Sequence, residues 1–337
     1  MAPGDEPPEP SKRVISFTTI LQAVLPIYLL ALIGVFLRKS RALTPETDAG
    51  LFRVVVHCLF PCLILDKTLS NELVRQPSVV ISGIGVGFGF VLTGFLVAWL
   101  VGRLFGLEKG SGRRTFTLTA GLQNYGFTAI PLLMTLFIGD RTLGVLFVHG
   151  LGVEFALWGV GIIVLTGGAS RESFRHLLNG PIVAVVVGLL LAYTGGWKVF
   201  EPGGPLLGQI VRQVMNWLGA AAFPVALVLI GATMIDFANA ERFSFKIGLG
   251  GILVRCLVMP TVIILVTAQL PLVVELKQVL LVQAAMPSAV TPVILARNYG
   301  GRPGVAVQVI LATSVAAFVT IPLIVAVGMR FIGLSSP

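Results

Sequence analysis

Apolar runs of about twenty residues recur along the whole chain, separated by short polar interruptions. As a helix, a run of that length crosses about 30 Å of hydrocarbon at about 1.5 Å per residue. The pattern predicts ten such segments. The first five are Phe17–Leu37, Asp48–Leu69, Val79–Val101, Thr115–Phe137 and Leu143–Leu165. A polar hinge, GGASRESFRH, follows from Gly167 to His176. The second five are Leu178–Tyr193, Leu207–Met234, Ile247–Ala268, Val279–Asn298 and Val305–Phe331. The expected organisation is a disordered tail over 1–15, one five-helix unit over 16–167, the hinge at 168–177 and a second unit over 178–331.

The two halves echo each other. PIYLLALIGVFL from Pro26 answers PIVAVVVGLLL from Pro181, and LFPCLIL around Pro61 answers AFPVALVLIG around Pro224. The fourth and ninth segments are both interrupted by proline. Five helices per half is an odd number, so the halves must lie in opposite orientations, a common plan among transporters. The expected fold is therefore all-α and integral to the membrane. Its ten transmembrane helices form two inverted five-helix repeats with broken helices 4 and 9. Loops 1–2, 3–4, 5–6, 7–8 and 9–10 hold more of the 24 Lys and Arg residues than the opposite set. Basic loops stay on the cytoplasmic side, which puts the hinge there and both termini outside, in what is expected to be the plasma membrane.

Composition agrees with a bilayer as solvent. The chain is 55% hydrophobic and 12% charged, whereas soluble domains carry about 25% charged residues. The net charge of +9 lies in short loops rather than in a basic stripe with interleaved aromatics, which argues against nucleic acid. Cys58 and Cys62 share one helix face beside His57, but with Cys256 they read better as small buried apolar residues than as a metal fragment. The first dozen residues are proline-rich and acidic, the wrong sign for a signal peptide. No cofactor or metal is expected.

Candidate chemistry gathers at the two broken segments. TAGLQNYGFTAIPLL, from Thr119 to Leu133, carries Gln123, Asn124, Tyr125 and Gly126 ahead of Pro131. Proline removes a backbone donor and glycine weakens the helix further. QAAMPSAVTPVILARNYG, from Gln283 to Gly300, has Pro287 and Pro292 enclosing Ser288, Ala289, Val290 and Thr291, enough to unwind a turn. Unwound backbone within a membrane is tolerated only when buried in protein or lining a cavity. A matched pair of broken helices points to a substrate site near the midplane. The expected ligand is an anion, met by N–H groups near Ala289 and Val290, by the half-helix dipole and by the Asn124 amide.

QNYGFTAIP, with Asn124 seven residues before Pro131, resembles the first crossover of the auxin efflux carrier family. MPSAVTPVILARNYG, with Pro287, Pro292, Arg297 and Tyr299, resembles the second crossover. LFPCLIL, NGPIVAVVVGLLL and AFPVALVLIGATM resemble further family segments in order. The resemblance implies secondary transport of small organic anions by an elevator-like motion. Helices 1, 2, 6 and 7 would form a scaffold, which in the family often pairs as a homodimer. The short hinge resembles compact prokaryotic-type members, for which dicarboxylates such as malate and malonate are the associated substrates, rather than auxin itself.

Ionisable residues inside segments complete the candidates. Glu154 in the fifth segment reads as a proton or cation coupling group, and His149, five residues earlier, reads better as structural. Arg255 either pairs with an acid or attracts the substrate, and the residues leave both open. Asp66 and Lys67 are expected at the interface, and Asp236 at the end of its helix. Rival functions are a sodium-coupled carrier of the bile-acid type, disfavoured because neither crossover holds an acid, and a membrane sensor without transport. HExxH, GxSxG and GxxxxGK[ST] are missing from the chain, which disfavours an enzyme and an ATP-driven pump.

Overall fold

The computed structural model describes residues 17–107, 110–137, 140–168, 179–238 and 244–334. The expected N-terminal tail and most of the hinge lie outside the described residues. The elements are α1 (Phe17–Lys39), α2 (Pro45–Leu69), α3 (Pro77–Leu104), α4 (Ser111–Gly121), α5 (Ala129–Leu136) and α6 (Arg141–Thr166), then α7 (Gly180–Thr194), α8 (Leu206–Ala238), α9 (Phe245–Gln269), α10 (Val274–Ala285), α11 (Thr291–Asn298) and α12 (Pro303–Ile332). Among the described residues, six of these (α2, α3, α6, α8, α9 and α12) are long and apolar enough to cross a membrane by length and composition.

Local chemistry sets the boundaries. Thr44 caps α2, its hydroxyl accepting from the Thr47 N–H, with Pro45 at the first helical position, where a missing N–H costs nothing. Asn179 caps α7, its side-chain oxygen accepting from the Ile182 N–H at 3.0 Å. Within α2 and α9 the ladder widens into π-turns at Val55–Leu59 and Leu253–Val258. Each stands just ahead of a proline, Pro61 or Pro260, whose missing donor and ring disturb the preceding turn.

The helices pack as two groups. In one, α1 lies along α8, and the second half of α2 lies against α7 and α8. Gly34 faces the Val228 carbonyl and Gly231 faces the Ala31 carbonyl, so any side chain there would collide with backbone. Small residues permitting such approach are how membrane helices gain dispersion contacts without a hydrophobic driving force. In the other group α3 packs on α6 and α4, and α12 on α4, α9, α10 and α11. Gly87 and Gly152 seat α3 and α6 together, and Gly94 meets Gly121 between α3 and α4.

Polar clamps hold the first group at both ends. At one end Arg38 of α1 pairs with Asp48 of α2 and, at 3.0 Å, with Asp236 of α8. At the other, Asp66 of α2 accepts from Asn216 at 3.1 Å and pairs with Arg212 at 3.5 Å and Lys67 at 3.1 Å. Asp66, near the end of α2, is thus buried in protein, 4% exposed. Arg212 stands 146 positions away in the chain, so this pairing is a tertiary fact that no local pattern carries. The three cysteines are free thiols of intermediate burial, and Cys58 packs against the apolar core.

Candidate functional site

Both expected interruptions are present, and they meet. The first unwound stretch runs from Leu122 to Thr128, between α4 and α5; the second runs from Met286 to Val290, between α10 and α11. Gln123 and Ser288 face each other as an antiparallel bridge. The Asn124 N–H donates to the Pro287 carbonyl at 2.8 Å, and the Ala289 N–H donates to the Leu122 carbonyl at 3.0 Å. Backbone groups freed from the helical ladder thus satisfy one another, as burial requires.

This geometry revises details of the sequence reading. The polar trio Gln123, Asn124 and Tyr125 lies inside the first break rather than before it. Pro131 stands in the first turn of α5, and Pro292 near the start of α11. Both prolines begin helices, where they lose no bond, while Pro287 lies within the break. The Ala289 N–H is spent on Leu122 and is not free for an anion.

Side chains fasten the crossing. Gln283, in the last turn of α10, donates its amide to the Tyr125 carbonyl at 3.1 Å. The Ser288 N–H donates to the Thr313 hydroxyl of α12 at 3.2 Å. The Asn124 amide donates to Thr128 at 2.9 Å. The Arg255 guanidinium donates through Nη2 to the carbonyls of Gln283 and Met286, each at 3.4 Å. It thus meets helix-end carbonyls and, among the described residues, forms no ion pair with an acid.

A cavity of about 390 Å³ opens between the crossing and the first helix group, within the size range of ligand sites. Asn124, Tyr125, Gly126, Ala289, Val290 and Thr291 line it. Gln123 and Ser288 do not. Their side chains are buried, and Gln123 Nε2 and Ser288 Oγ find no partner among the described residues. Opposite stand Phe52, Phe60, Asn179 and Thr233. Apart from the Tyr125 phenol, Glu154 is the one ionisable side chain among the lining residues.

Glu154 has the partners that a carboxyl in apolar surroundings requires. Tyr125 donates its hydroxyl to one carboxyl oxygen, and Trp158 donates its indole N–H to the other at 2.7 Å. Asn179 bonds to the same group. The carboxyl therefore joins α6, the first unwound stretch and the cap of α7. His149 is fully buried away from the cavity, and neither ring nitrogen has a partner among the described residues. Trp158, Asn179 and Gln283 were not singled out from the sequence. The Asn-Gly-Pro run at 179–181 was legible as a helix start, but its reach to Glu154 is a tertiary fact.

No curated protein matches the chain. The profile of a family described as membrane transport protein matches residues 19–174 and again residues 171–325. Those matches span both halves and both unwound stretches: the chain belongs to this family of membrane transporters, the auxin efflux carrier family.

Proposed function

We propose that the chain is a secondary carrier of small organic anions, carboxylates above all, that works by elevator-type alternating access. The observation that carries the reading is the antiparallel pairing of two unwound segments, one from each half, on the wall of a cavity. In this reading α4 with α5 and α10 with α11 each count as one span, giving ten spans in two inverted repeats. The solute carboxylate meets the Asn124 amide and the start of α11, where the Thr291 N–H and the helix dipole favour negative charge. Its apolar body rests on Phe52, Phe60 and Phe127.

The motion would carry the crossing and its helices past α1, α2, α7 and α8. Two features support that division: the denser packing within each group than between them and the polar clamps at both ends of the first. The first group would also form a homodimer contact. The chain would sit in the plasma membrane with both termini outside and the hinge cytoplasmic.

Glu154 gives the cavity a pH response. An ionised carboxylate and a carboxylate solute repel in a poorly screened site. Protonation of Glu154 removes that repulsion, so a proton accompanies the anion. Counterflow in proteoliposomes with Asn124→Ala and Pro292→Ala tests the site. Loss of uptake in each is expected; full uptake in both variants would remove the crossover from the binding role.

A further inference from the structure

α10 ends inside the protein at the second unwound stretch. The last carbonyls of a helix have no intrahelical partners and carry partial negative charge. In carriers with broken helices, such carbonyl ends hold the coupling cation. Here the position is taken by a side chain. Arg255 is 1% exposed and is the largest fully buried side chain of the chain's described residues. Its Nη2 spans the carbonyls of Gln283 and Met286 at 3.4 Å each.

The approach is built into α9. Arg255 lies in the π-turn Leu253–Val258 ahead of Pro260. One turn earlier, Gly251 lets α9 lie against Val309 and Thr313 of α12, and Thr313 receives the Ser288 N–H of the crossing. Nε and Nη1 of Arg255 have no partner, and no acid pairs with the guanidinium among the described residues. Among the described residues its charge therefore meets only the carbonyl dipoles. A buried charge of this kind in a membrane protein is expensive and is kept where function uses it.

We propose that Arg255 is a tethered counter-ion that fills the coupling-cation position of the crossover, so that the carrier runs without sodium. The proposal rests on the crossing being the transport site, but not on which anion is carried. Removing the guanidinium should turn the tethered charge into a vacancy for a diffusible cation.

The test is thermal unfolding of the purified full chain in sodium, guanidinium or choline chloride at one ionic strength and at guanidinium concentrations too low to denature. The wild-type midpoint should be the same in sodium and choline. Arg255→Ala should unfold about 3–6 °C lower in choline and be restored saturably by guanidinium or sodium. Arg255→Lys, which keeps a cation on a stem, should behave as the wild type. A saturable rise of the wild-type midpoint with sodium overturns the proposal, as does an Arg255→Ala protein indifferent to every cation. Should Arg255→Ala not fold, the wild-type series and Arg255→Lys still decide. A wild type that binds no carboxylate but shows the expected cation pattern would sink the anion reading alone and leave this one standing.

Discussion

The Gln283 side-chain amide donates to the Tyr125 backbone carbonyl at 3.1 Å, joining the end of α10 to the first unwound stretch across 158 positions. Gln283 is 1% exposed, so water cannot replace it. Gln283→Leu keeps the volume and strands the Tyr125 carbonyl, a loss of about 1–3 kcal/mol. The expected result is a thermal midpoint lower by several degrees and a weaker solute affinity, since Tyr125 and Asn124 lose their backing. An unchanged midpoint and affinity would show that the crossing holds without this bond.

Gly126 and Gly94 separate binding from folding. A methyl added at Gly126 meets nothing within 4 Å, and the residue lines the cavity. A methyl at Gly94 runs into the Gly121 carbonyl. Gly126→Ala should therefore leave thermal stability unchanged and lower solute affinity by up to about tenfold, the equivalent of about 1.4 kcal/mol. Gly94→Ala should lower the yield of folded protein, because two backbones must part. Fluorescence-detected size exclusion and solute-dependent thermal shift separate the two outcomes.

Glu154→Gln asks whether the carboxyl is structural or titrates during transport. Tyr125 and Trp158 both donate to it. Glutamine keeps one acceptor oxygen and replaces the other with a donor, so one of these bonds is lost, at a cost of about 1–3 kcal/mol. With a solute fully ionised across the range, wild-type uptake should rise as pH falls, because the protonated site repels the anion least. The variant, permanently neutral, should be flat with pH. A variant that keeps the wild-type profile would return Glu154 to a purely structural role.

The breaks were legible in the sequence because proline, glycine and amide residues inside apolar runs have few stable arrangements. The polar trio after Gly121 and the Pro287–Pro292 spacing located both unwound stretches to within a few residues. What the sequence did not give was the partner of each freed group. Sequence alone suggests a free N–H at Ala289, with the second half-helix starting there. Pro292 instead sits best near a helix start, which moves that start to Thr291 and leaves Ala289 to pair with Leu122. Likewise Glu154 was recognisable as needing partners; Trp158 lies one turn further along the same helix, but Asn179 and Tyr125 come from two other elements. Asp66 reads as interfacial because it stands near a helix end beside Lys67, and that reading names no partner but Lys67. Only the packing of α2 on α8 brings Arg212 and Asn216 over it.

That Asp66 clamp yields a non-additive prediction. The Asp66 side chain is 6% exposed, and two cations share it: Lys67 at 3.1 Å, 12% exposed, and Arg212 at 3.5 Å, 24% exposed. Removing either cation leaves the other, together with the Asn216 amide, so each single alanine variant should cost about 1 kcal/mol. Removing both leaves a buried carboxylate with one amide donor, and stripping a buried charge of its partner costs about 3–5 kcal/mol. Lys67→Ala/Arg212→Ala should therefore lose more stability than the two single losses combined, a coupling of about 1–3 kcal/mol. Adding Asp66→Asn to the double variant should recover part of the loss, because the unpaired charge is gone. None of the three residues lines the cavity, so solute affinity measured on the folded fraction should hold at the wild-type value. Additive losses across the cycle would mean that Asp66 reaches water and that the clamp does not tie α2 to α8.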